Sequence, residues 1–74
     1  MISIEMTDTF GCEANYSWVI RKDDNESKTI RQAITRFKKD HGIKRTHKIA
    51  CDSGDFRRVN LNGMNVCIMA QINY

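Results

Sequence analysis

Residues 27–43 read Ser-Lys-Thr-Ile-Arg-Gln-Ala-Ile-Thr-Arg-Phe-Lys-Lys-Asp-His-Gly-Ile, and this stretch decides the fold. Ile30, Ala33, Ile34, Phe37 and His41 recur at spacings of three and four, which places them on one stripe of a helix. Lys28, Arg31, Gln32, Thr35, Arg36 and Lys39 take the opposite side. Asn25 or Ser27 is a candidate N-cap, and Asp23, Asp24 and Glu26 suit the positive end of the helix dipole. Gly42 followed by Ile43 is a C-terminal stop. A helix from about Ser27 to about His41 is expected.

Outward from this helix the periodicity changes to two. Ile2, Ile4 and Met6 alternate with Ser3, Glu5 and Thr7, the pattern of a strand with one buried face. Asp8 to Asn15 reads as a turn or loop around Gly11, Tyr16 to Arg21 as a second strand, and Lys22 to Glu26 as a polar break. Beyond the helix, His47 to Asp52 and Phe56 to Leu61 read as strands separated by a Ser53-Gly54-Asp55 turn. Asn62-Gly63 fits a two-residue type I′ hairpin leading into a last strand, Met64 to Ile72. That strand is apolar on both parities, with Val66, Ile68, Ala70 and Ile72 on one and Cys67 and Met69 on the other, so it is expected to be central in its sheet or to have its second face covered. The expected fold is α+β: a two-layer ββαβββ sandwich, one antiparallel five-stranded sheet with a single helix on one face. Its second face has no helix to cover it. With Cys67 and Met69 there beside an aromatic of the second strand, it is a candidate surface for a homodimer or a partner.

A chain of 74 residues makes a single domain, 1–74, and buries only about 60% of the surface it exposes when unfolded. Little is left to shape a deep cleft, which points to a function spread over the surface and away from an enzyme. Neither a secretion signal nor a membrane-spanning apolar run is present, and a soluble, cytoplasmic protein is expected. Cys12, Cys51 and Cys67 are odd in number and lack a C-x-x-C pair, so buried or half-buried free thiols are expected. No phosphate-binding glycine loop or metal-ligand spacing occurs, and neither metal nor cofactor is expected.

Charge is segregated along the chain. Residues 1–26 carry −4, residues 27–58 carry +7 and the last sixteen carry none, which recovers the net +3. Lys28, Arg31, Arg36, Lys38, Lys39, Lys44, Arg45, Lys48, Arg57 and Arg58 form a candidate partner-binding patch. Such a patch suits an acidic protein surface, or nucleic-acid phosphates, or serves solubility alone. Only Phe37 and Phe56 lie in the basic half, which counts against base stacking.

Thr7 to Val19, TDTFGCEANYSWV, resembles the T-[ED]-T-[FY]-G-G-E-A-N-Y-S-W-V segment near the start of many short phage and prophage accessory proteins. Gly54-Asp55 and Asn62-Gly63 fall where that pattern has its later turns, while Cys12 replaces its second glycine. The family is mostly of unassigned function and transfers no site residue. The resemblance implies the context of a phage accessory gene; small products of such genes are often inhibitors that dock on host defence machinery, and an anti-CRISPR-like inhibitor in the host cytoplasm is the function expected. The expected partner is a host defence protein or ribonucleoprotein complex, blocked sterically or electrostatically. A nucleic-acid-binding module on the same helix face and a dimeric assembly protein are the alternatives. Within the segment, Tyr16 and Trp18 are expected to share a face of the sheet, as a core pair or as interface anchors.

Overall fold

The computed structural model describes residues 1–11 and 13–74; Cys12, and with it the replaced glycine of the TDTFGCEANYSWV segment, lies outside the described residues. Strands β1 (Ile2–Phe10), β2 (Glu13–Asp24), β3 (His47–Asp52), β4 (Phe56–Leu61) and β5 (Val66–Ile72) surround one helix, α1 (Ile30–Asp40). They form one antiparallel sheet in the order β2-β1-β5-β4-β3. The α+β architecture is therefore the expected one, and β5 is central in its sheet, one of the two arrangements that its apolar parities allow. No helix among the described residues is long and apolar enough to cross a membrane.

The core lies between α1 and the face of the sheet carrying Ile2, Ile4, Met6, Val59, Ile68 and Ala70. Ile30, Ala33, Ile34 and Phe37 supply the helical side. The fifth residue of the predicted stripe, His41, is exposed and caps the helix instead. Its ring lies against Phe37 at 4.2 Å, and its Nδ1 is 3.0 Å from the Phe37 carbonyl. The helix ends as its glycine predicts. Gly42 adopts φ 67°, its N–H reaches Lys39 O at 3.1 Å, and Ile43 N–H reaches Lys38 O at 2.8 Å. Ile43 then packs onto the core.

Several boundaries differ from expectation. The N-cap is Thr29, whose hydroxyl accepts from Gln32 N–H at 3.1 Å, rather than Asn25 or Ser27. The buried Asp24 carboxylate explains the shift. It accepts from Glu26 N–H, Ser27 N–H and Ser27 hydroxyl at 2.7–2.9 Å, and so consumes those donors in a turn ahead of the helix. None of the three acidic residues sits in the first helical turn. The polar break is also mostly strand, because β2 runs on to Asp24 opposite Ile2. An edge strand pairs through its backbone whatever its side chains are.

The expected loop from Asp8 to Asn15 is largely strand too, with β1 continuing to Phe10 and β2 beginning at Glu13. Thr7 pairs with Val19 but Thr9 with Ala14, so Asn15 to Trp18 bulge out opposite Asp8. The Asp8 carboxylate accepts from Asn15 Nδ2 at 2.8 Å and Ser17 N–H at 3.0 Å. Hydrogen bonds from Ser17 and Asn15 hold this carboxyl well below the usual range. Thr7 hydroxyl, fully buried, donates to Trp18 O at 2.7 Å.

The Asn62-Gly63 turn is not type I′. Gly63 has φ 77°, but Asn62 is not in the positive-φ region that type I′ demands at both positions. Met64 N–H reaches Leu61 O at 3.3 Å, and β5 starts at Val66 rather than Met64. Tertiary contacts select this longer loop. Asn62 N–H bonds Thr46 O and Thr9 N–H bonds Asn65 O, each at 2.9 Å, so both flanks of the loop are held by neighbouring strands.

Phe37 is 1% exposed at the centre of a small core. Phe37→Ala is expected to remove about 3–5 kcal/mol, most of the margin of a domain this size. Urea melts followed by circular dichroism would check it through a fall in the midpoint at unchanged slope.

Candidate functional site

A helix with about 3.6 residues per turn that buries Ile30, Ala33, Ile34 and Phe37 has two flanks. One carries Arg36 and Asp40 and faces β2; the other carries Arg31, Thr35 and Lys38 and faces β3. Lys39 lies between them, toward solvent, and Lys28 is exposed just ahead of the N-cap Thr29. The two flanks differ in how far the chain neutralises its own charge.

On the β2 flank, Arg36 pairs with Glu26, and Lys22 Nζ meets Asp40 Oδ2 at 2.9 Å. The hydrogen bond and charge of Glu26 raise the Arg36 pKa, and the Lys22 hydrogen bond lowers that of Asp40. This side is electrically closed.

On the β3 flank, a groove of about 460 Å³ runs between helix and sheet, lined by Arg31, Ile34, Thr35, His47, Ile49 and Arg57. Lys38 borders it, with Nζ 3.2 Å from His47 Nδ1. An ammonium only donates, so Nδ1 is the acceptor and His47 is neutral in this contact. Burial lowers the His47 pKa from 6.5, and the charges of Lys38 and Arg57 lower it further. Arg57 is bound to Asp52 at 2.8 Å. A second groove, lined by Thr35, Lys38, Lys39, Gly42, Ile43 and Lys44, adjoins the first through Thr35 and Lys38. Among the described residues, Lys28, Arg31, Lys39 and Lys44 have no carboxylate within salt-bridge distance. The result is a cationic trough with an apolar floor.

The predicted patch thus divides. Arg31, Lys38 and Arg57 line or border the β3-flank groove, Lys39 and Lys44 line the one that adjoins it, and Lys28 is exposed ahead of the helix. Arg36 is withdrawn to the other flank. Arg45 serves the chain, lying over Gly63, where an added Cβ would come within 2.6 Å of its Nη1. Arg58 is on the opposite face of the sheet: it pairs with Met69 while Arg57 pairs with Ala70, and it hydrogen-bonds the Cys67 thiol. Successive strand residues point to opposite faces, so adjacent arginines could not both join one patch. Sequence reasoning missed His47, Ile49 and Thr35 as groove residues. The alternation of β3 against the helix stripe was the signal available for the first two.

Tyr16 and Trp18 both belong to the bulge of β2. Tyr16 adopts φ 61°, which breaks the strand alternation and swings its hydroxyl to 3.7 Å from Met69 Sδ, on the face away from the helix. Trp18 closes the bulge, and its carbonyl accepts from the buried Thr7 hydroxyl at 2.7 Å. Both aromatics are half exposed, at 53% and 43%, along the β2 edge. Beneath Tyr16, Cys67 (0% exposed) and Met69 (7%) are already buried within the chain, whereas Cys51 is exposed, contrary to the expectation of shielded thiols. The face away from the helix holds a groove of about 570 Å³ with Ser3, Glu5, Arg21, Asp23, Phe56 and Met69 in its lining. There Arg21 Nη2 meets Glu5 Oε2 at 2.9 Å, and Asp23 accepts from the Ser3 hydroxyl at 3.4 Å.

No family model, no curated protein and no solved structure matches the chain. Among the described residues no group of three or more His, Cys, Asp or Glu side chains could hold a metal ion.

The lowered His47 pKa has a definite sign. The folded state disfavours its protonated form, so the contribution of neutral His47 to stability is complete above about pH 6.5 and is lost as the pH falls through its folded value. Proton NMR should place the His47 midpoint below 6.5, and melts between about pH 7 and 5 should show a shallower loss of stability in His47→Asn than in the parent chain.

Proposed function

We propose that the chain is a non-catalytic binding protein that blocks an acidic macromolecular partner with the β3 flank of its helix. The observation that carries this reading is the asymmetry of neutralisation. The chain's own carboxylates close the β2 flank, while Arg31, Lys38, Lys39 and Lys44 remain available around an apolar floor. Charges arranged in this way steer encounter and fix orientation. In the phage context that the Thr7 to Val19 resemblance implies, the partner is a protein or ribonucleoprotein complex of a bacterial defence system, and the action is anti-CRISPR-like, in the host cytoplasm.

A protein surface suits the trough better than nucleic acid does. Ile49 stands 54% exposed among the cations and offers an apolar contact that a phosphate backbone would not use. The exposed aromatics Tyr16 and Trp18 lie on β2, the opposite edge of the sheet. Four inter-strand gaps of about 4.8 Å set the two edges about 19 Å apart, so stacking and phosphate contacts cannot serve the same short stretch of strand. A homodimer through the face away from the helix has little to gain, since Cys67 and Met69 are already covered.

Arg31→Glu combined with Lys39→Glu is the test. Phage plating on a host with an active CRISPR complex should rise when the parent chain is expressed and stay at the uninhibited baseline with the double variant. The melting temperature should move by no more than about 4 °C, because both side chains are exposed. Full activity of the double variant would remove the β3 flank from consideration. Tight, steeply salt-dependent binding to random single-stranded DNA or RNA would favour the nucleic-acid alternative.

A further inference from the structure

The cationic groove borders a strand whose outer edge has no partner among the described residues. Of these, β3 ends the sheet and pairs with β4 alone. Asn62 N–H bonds Thr46 O at 2.9 Å, which makes Thr46 and Asn62 a hydrogen-bonded pair. The register continues through His47↔Leu61, Lys48↔Asn60 and Ile49↔Val59. Hydrogen-bonded and non-hydrogen-bonded pairs alternate in an antiparallel ladder, so the N–H and C=O groups of His47 and Ile49 point away from β4. The side chains of the same two residues line the groove. A segment laid along this edge therefore meets main-chain groups and the cationic trough together.

Charge decides which segment fits. Arg31, Lys38 and Arg57 stand on the helix side of the edge. Lys48, opposite Asn60, stands on the other, and Asp52 is engaged by Arg57. Lysines and a bulge, here between Ile49 and Cys51, are the means by which edge strands resist pairing with their own kind. A second copy of β3 would bring the same cations into register. What repels that copy attracts a strand of opposite charge.

We infer that the β3 edge receives an extended acidic segment of the partner as a sixth strand. Its main chain bonds His47 and Ile49. Its carboxylates meet Arg31 and Lys38 on one side and Lys48 on the other, and an apolar side chain sits over Ile49. The bulge after Ile49 limits the paired run to about four or five residues of the partner. This inference rests on the β3 flank being the docking surface, and it adds the shape and composition of what docks there.

The probe is the capped peptide Glu-Glu-Val-Glu-Glu, which places valine over Ile49 and carboxylates on both sides of the edge. Its control is the same peptide with every backbone nitrogen methylated, which keeps every charge and leaves no main-chain N–H to donate along either edge. The unmodified peptide should bind at least tenfold more tightly in an NMR titration, and the His47 and Ile49 amides should gain protection from hydrogen exchange. Arg31→Glu with Lys48→Glu should abolish binding of this peptide and admit Lys-Lys-Val-Lys-Lys instead. Equal affinity for the two acidic peptides would overturn strand addition, as would protection of those amides by self-association without peptide. If neither acidic peptide binds while Arg31→Glu with Lys39→Glu still destroys blocking, the sixth strand is wrong and the docking flank stands. If that double variant is also fully active, both readings fail.

Discussion

Everything in this molecule depends on how one short helix is seated across a sheet whose middle strand is apolar on both faces. β5 contributes Val66, Ile68 and Ala70 to the helix side, and Ile30, Ala33, Ile34 and Phe37 cover them together with β1 and β4. A helix of eleven residues offers only one stripe for this, so its rotation about its own axis is set by four side chains. Once that rotation is set, every polar helical residue is assigned to a flank. The placement of the helix's surface cations is thus a by-product of core packing, with no room for independent adjustment.

The second face of β5 is handled differently. No second layer covers Cys67 and Met69, yet both are buried. Cover comes from the bulge in β2, where Asp8 gathers Asn15 and Ser17 and the left-handed Tyr16 is turned over Met69. A non-glycine residue at φ 61° costs about 1–2 kcal/mol, which the Asp8 hydrogen bonds and the buried Thr7 to Trp18 bond offset. The TDTFGCEANYSWV segment is therefore structural in its own right, since its Thr, Asp, Asn, Tyr and Ser build the clamp that closes the open face.

Charge segregation along the chain becomes charge segregation in space through the sheet order. The acidic residues of the first 26 positions belong to β1, β2 and the turn after them, all on one side of the molecule. Glu26 and Asp40 neutralise cations on the β2 side, whereas β3 enters from a basic connector and has Asp52 and Asp55 only at its far end. Surface ion pairs add little to stability. Their effect here is to decide which cations are left for a partner.

The helix stripe up to Phe37, its glycine stop, β3, β4 and the body of β5 were legible in the amino-acid order, because period and turn chemistry are local. Helix start, bulge and hairpin type were not. Asp24 takes donors that Ser27 would otherwise have capped, Asp8 reaches seven residues on to Asn15, and Asn62 is pinned by Thr46 sixteen residues earlier. The candidate site was legible as a list of cations and illegible as a place. Arg57 and Arg58 are neighbours in the chain and lie on opposite faces of the sheet, and Arg31 and Arg36 lie on opposite flanks of the helix. Local rules assign residues to elements. Which cations share a surface, and which meet a carboxylate first, depends on strand order and helix rotation, and those are settled only when the whole chain buries its apolar faces at once.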